Sequence, residues 1–175
     1  MKPLAPPVAI VLAALVLVAV VYDLRLRRIP NWLTLSGIGI GLALNAWLGV
    51  LREAALGLGL AAAVYLPLFL LRAMGGGDLK LMAAVGSLAG PSAWLVIFVF
   101  TAILGGIAAL VLLVVSGGLG RAMRNVLHIL KQALRFRAPY RDREELDVSS
   151  PRAVTLPHGA VIAAGTLLYL FVAAV

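Results

Sequence analysis

The stretch MGGGDLKLMAAVGSLAGP, residues 74–91, decides the fold. It sets Asp78 directly behind Gly75, Gly76 and Gly77, at the head of an apolar run that stops at Gly90-Pro91. At about 1.5 Å per helical residue the run from Leu79 to Gly90 covers about 18 Å, whereas a bilayer's hydrocarbon core is about 30 Å thick. A helix this short reaches across only if one end dips, and irregular backbone at membrane depth is tolerated only inside protein or beside a water-filled cavity. The glycine turn and Asp78 are therefore expected below the membrane surface, shielded by neighbouring helices. Gly90-Pro91 marks a stop and restart, because proline is accommodated in the first turn of a new helix.

The rest of the chain has the same character. Over 175 residues it is 63% hydrophobic and only 13% charged, with a mean hydropathy of +1.07, more apolar surface than a soluble domain of this size could hide. Cysteine is absent, which excludes disulfides, thiolate zinc sites and a cysteine nucleophile, and two distant histidines make no metal constellation. No metal and no cofactor are expected. The N-terminal run through Tyr22 passes into Asp23 and an arginine cluster without a cleavage site, so it reads as a retained first helix.

Apolar runs predict helices at about 6–23, 32–51, 54–72, 79–90, 92–116 and 154–174. The fold class is thus all-α, a polytopic membrane protein with six transmembrane helices forming a single domain over residues 1–175. Cytoplasmic loops collect lysine and arginine. Arg25, Arg27, Arg28, Arg72, Lys80 and the run from Arg121 to Arg152 fall on one side of this threading, leaving Lys2 and Arg52 on the other. Both termini are then expected outside the cytoplasm. The formal net charge of +8 reads as a topology signal and an attraction to anionic inner-leaflet lipids, with no need for nucleic acid. The cytoplasmic loop 117–153 carries Met123, Leu127, Leu130 and Leu134 on one helical face and basic residues on the other, which predicts an interfacial helix at about 119–137. A charged loop, 140–150, follows.

Two residues carry the chemistry. A carboxylate at membrane depth needs a reason, and Asp78 could simply cap a helix while Asp23 could pair with the arginines beside it. The threading puts both at similar depth on the cytoplasmic side. Two carboxylates brought close cannot easily both ionise, so one keeps its proton; the pair can then polarise a carbonyl and activate a water, as in an aspartic protease. Glycines beside Asp78 would let a peptide backbone approach closely. A small ion- or proton-coupled transporter could use the same two aspartates, and a noncatalytic scaffold would need them only for structure.

Gly75-Gly76-Gly77-Asp78 fits the GxGD signature of intramembrane aspartyl proteases, Lys80 extends it to GxGDxK, and Asp23 is followed by Arg28-Ile29-Pro30-Asn31. In these motifs and their order the chain resembles the type IV prepilin peptidase family. Pro157-His158-Gly159 is similar to that family's Pro-aromatic-Gly segment, with histidine in place of the aromatic residue. The resemblance implies catalytic Asp23 and Asp78, an active-site loop of Gly75, Gly76 and Gly77, and supporting roles for Asn31, as helix cap or partner of Asp23, and Lys80, as tuner of Asp78 or interfacial anchor. It further implies a prepilin or pilin-like substrate whose short basic leader ends in glycine and is cut at the cytoplasmic face of the inner membrane. Without cysteines or room for a methylating domain, the chain looks like the short, cleavage-only branch, similar to the peptidases of tight-adherence (Flp) pili or to archaeal preflagellin peptidases.

Overall fold

The structure, a computed structural model, describes residues 3–72, 74–115 and 157–175. The expected interfacial helix at 119–137 and the charged loop lie outside these residues. Helix α1 spans Pro6–Leu26, with prolines in its first turn where their missing N–H groups do no harm. It runs past the expected end at Asp23 and closes at Arg27, in the left-handed region (φ 50), whose N–H donates to the Asp23 carbonyl at 2.9 Å. Asp23 is therefore in the last turn of α1 instead of at its end. Helix α2 spans Asn31–Trp47 and α3 spans Leu51–Leu70. Pro30, extended at φ −65 and ψ 141, is the cap residue of α2, and Asn31 is its first helical residue with no capping side-chain bond. The cap role considered for Asn31 thus falls to its neighbour, because proline's fixed φ already sets the entry angle.

Helix α4 spans Gly76–Val115 and α5 spans His158–Ala174. The expected fourth helix begins three residues earlier than its apolar run, at Gly76, so two of the three glycines are helical. Inside α4, Gly90 adopts φ 74 and ψ 172, a conformation essentially restricted to glycine. The chain reverses there. Trp94 Nε1 donates to the Met82 carbonyl at 3.1 Å across twelve positions, which is possible only if the second arm folds back along the first. The expected fourth and fifth helices are thus the two arms of one hairpin, turned at the expected Gly90-Pro91.

The first arm, about 21 Å long at about 1.5 Å per residue, is the centre of the molecule. Leu81, Met82, Ala84, Val85 and Ser87 have no exposed surface, and a helix apolar on every side must be surrounded. Contacts of α1 with α2 and α5, α2 with α3, and α4 with α3 and α5 close a ring of helices about it. The closest approach is between α3 and the first arm. A Cβ on Gly57 would stand 2.8 Å from the Gly90 Cα and would collide with the Gly86 carbonyl, so the two backbones meet directly, as small residues permit between membrane helices. The second arm adds an aromatic cluster in which Trp94 stacks on Phe98 at 5.4 Å and both meet Tyr65 of α3 edge-on.

The hairpin turn has an unexpected partner. Pro91 has no N–H, so the Ser87 carbonyl loses its helical donor. Asn45 of α2, 7% exposed, supplies one: its Nδ2 donates to Ser87 O at 3.0 Å, Leu88 O at 3.2 Å and Gly41 O at 3.0 Å. Outward faces remain apolar, with Ile10, Leu17, Ile40, Ile103 and Phe171 all at least 48% exposed, a surface suited to lipid and not to water. Three helices, Pro6–Leu26, Leu51–Leu70 and Gly76–Val115, are long and apolar enough to cross a membrane, and His158–Ala174 is a shorter apolar helix. The described residues are all-helical, and their apolar helices are those of a membrane protein.

Candidate active site

At the end of the ring away from the hairpin turn, the last turn of α1 and the first turns of α2, α4 and α5 converge. Asp23 is 7% exposed. Its Oδ2 accepts the Ala160 N–H at 3.2 Å, in the first turn of α5, where the same N–H is shared with the Pro157 carbonyl at 3.1 Å. Gly159 makes this approach possible: a Cβ on it would lie 3.0 Å from Asp23 Oδ2 and 3.1 Å from Asp23 Cβ. Gly159 thus gives the first aspartate its space and the next residue, Ala160, holds it through a backbone N–H that has no side-chain signature in the sequence.

Asp78 is half-buried, at the third residue of α4. It is not the helix cap that the sequence allowed; Gly75 takes that place. The Asp78 N–H donates to Gly75 O at 3.2 Å, and the Gly75 N–H donates back to the Asp78 carboxylate, a reciprocal arrangement like that of a capping box. The carboxylate is therefore folded over Gly75, where a Cβ would lie 3.3 Å from its Oδ2. Asp78 is within electrostatic reach of both Asp23 and His158. Gly76 packs against Phe69 of α3 and Gly77 against Ile29, so these two glycines give space to neighbouring side chains instead of forming an open loop.

Lys80 and Asn31 also meet. Lys80 Nζ donates to Asn31 Oδ1 at 2.8 Å, tying the start of α4 to the start of α2. Tyr22 meets Trp32 edge-on at 6.1 Å and joins α1 to α2 beside the site. Sequence reasoning did not single out Ile29, Phe69 or Ala160. Ile29 was quoted only as part of Ile-Pro-Asn, and its burial between two glycines becomes visible only when α4 and α5 are in place.

A cavity of about 680 Å³ opens at the opposite end of the molecule, beside the hairpin turn, lined by Leu4, Asn45, Glu53, Ser92 and Tyr169 among others. It contains neither aspartate. No group of three or more acidic, histidine or cysteine side chains able to hold a metal occurs among the described residues; the converging ends bring together two carboxyl groups, an imidazole and backbone donors. No curated protein and no solved structure matches the chain. Residues 10–110, which hold both aspartates and all three glycines before Asp78, match the model of the type IV leader peptidase family, and the chain belongs to that family of membrane peptidases.

Proposed function

We propose that the protein is an aspartic endopeptidase that removes the short basic leader of type IV prepilin-like proteins, with Asp23 and Asp78 as the dyad. The observation that supports this reading is that Asp23 and Asp78 lie within electrostatic range of each other where four helices converge. The two carboxyls share one proton. The ionised one takes a proton from water as its oxygen attacks the scissile carbonyl carbon; the protonated one donates to the carbonyl oxygen. Collapse of the tetrahedral intermediate breaks the C–N bond, and the leaving amine takes up the proton that came from water. The Ala160 and Gly75 N–H groups hold the two carboxylates in orientation, and the Lys80–Asn31 bond holds the elements that carry them.

Six membrane passes complete the picture: α1, α2, α3, the two arms of α4, and α5. Arg25, Arg27, Arg28, Arg72 and Lys80 gather at the aspartate end, which supports assigning that end to the cytoplasmic face of the inner membrane, beside anionic lipids. Both termini then lie on the other side. The test is coexpression with a candidate prepilin. Wild-type enzyme should shorten it, while Asp23→Asn and Asp78→Asn, each accumulating as folded protein, should leave it intact, with rates reduced by at least about 10³-fold. Cleavage by both variants would remove the dyad, and ion flux without processing would favour a transporter.

A further inference from the structure

The cavity beside the hairpin turn grades from polar to apolar with depth. Val8, Leu88 and Tyr169, each 2% exposed, line its inner part, while Leu48, Val50 and Glu53 are exposed at its mouth. A Cβ on Gly90 would lie 3.6 Å from Glu53 Cβ, so the root of the Glu53 side chain rests against the turn. Among the described residues neither Glu53 nor its neighbour Arg52 has a side-chain hydrogen bond or ion pair. Successive helical residues do not face each other, so this carboxylate and this guanidinium stand side by side without neutralising one another. The mouth lies where α1 and α3 begin and α2 ends. Trp47, next in the chain to Leu48, is 78% exposed there, as an aromatic anchor at the membrane interface is.

A carboxylate and a cation at headgroup level, above an apolar floor, match the order of groups along a zwitterionic phospholipid. From this arrangement we propose that the cavity is a binding site for one phospholipid whose headgroup ends in a primary ammonium, with the ammonium on Glu53, the phosphate toward Arg52 and the upper part of an acyl chain against Val8 and Leu88. A primary ammonium offers three N–H donors to the carboxylate, whereas a quaternary one offers none. An anionic headgroup would bring a second negative charge against Glu53. The volume, about 680 Å³, is that of pockets enclosing ligands of moderate size. Such a lipid would touch α1, α2, α3 and the hairpin of α4 together, and would fasten the turn that only Asn45 closes from within the described chain. The site contains neither aspartate, so the inference is independent of the reaction at the other end.

The experiment measures the melting temperature of the full-length protein in detergent as lipid is added. Phosphatidylethanolamine should raise it by about 5 °C at saturation, because a ligand bound only by the folded state stabilises that state. Phosphatidylcholine and phosphatidylglycerol should each raise it by less than about half as much, and glycerophosphoethanolamine, which has the headgroup without the chains, should leave it unchanged. Glu53→Gln, at an exposed position, should weaken the apparent affinity for phosphatidylethanolamine by about tenfold, the worth of a charge-assisted hydrogen bond, and remove the preference over phosphatidylcholine. Ala93→Leu, which fills part of the cavity from its wall, should abolish the response to every lipid; should it fail to accumulate, Glu53→Gln decides. Equal responses to the three lipids in the wild type overturn the proposal, as does a preference that survives Glu53→Gln. A stronger response to phosphatidylglycerol, or a full response to glycerophosphoethanolamine, overturns it too, the first in favour of an anionic lipid and the second in favour of a soluble ligand.

Discussion

Asp23 illustrates how little of a residue's role lies in its own side chain. Its carboxylate is buried against the first turn of α5 because residue 159 is glycine and the N–H of residue 160, shared with the Pro157 carbonyl, reaches it. Gly159→Ala would press a methyl group against Asp23 Oδ2 and Ile29 Cδ1, displacing them by a few tenths of an ångström. Cleavage should fall by about 10- to 100-fold, because small misplacements at a reacting centre are amplified, while the melting temperature in detergent changes little. A large loss of stability with normal cleavage per folded enzyme would mean that Gly159 serves packing alone. The two aspartates were legible in the sequence, since acids in so apolar a chain are conspicuous. Ala160 was not, because a backbone donor looks the same in every residue.

At the scale of elements, the hairpin of α4 rests on two residues of different kinds. Gly90→Ala would force an L-residue into φ 74 and ψ 172, at a cost of about 1–3 kcal/mol, read as a lowered melting temperature and reduced accumulation. Asn45→Leu would leave the Ser87 and Leu88 carbonyls without their donor, a loss of about 1–2 kcal/mol given that polar contacts in membrane proteins measure at the low end of the usual range. Asn45→Asp should be at least as harmful, because a carboxylate can donate to neither carbonyl unless protonated. If Asn45→Leu melts like the wild type, the bonds at the turn contribute nothing. The stop at Gly90-Pro91 was readable from local chemistry. That the two arms fold back on each other, and that an amide from another helix closes the turn, depends on contacts more than forty positions apart.

At the scale of the whole molecule, the distribution of basic residues predicts orientation, and the absence of cysteine makes this simple to measure. Leu26→Cys and Trp47→Cys replace exposed side chains (61% and 78%) at opposite ends of the helices. A membrane-impermeant thiol reagent should label the first only from the cytoplasmic side and the second only from the other; the reverse pattern would invert the threading. The sequence by itself determined the solvent, the helical class, the short central segment and the two acids, because hydropathy, helix length and the cost of buried charge are properties of local stretches. Only the tertiary structure decided that the short segment is the hub of the ring, that α5 holds Asp23 by its backbone, that Asp78 folds over Gly75, and that Ile29 stands between two glycines. Those features arise where backbones from distant parts of the chain touch, and contact of that kind is governed by which side chains are missing as much as by which are present.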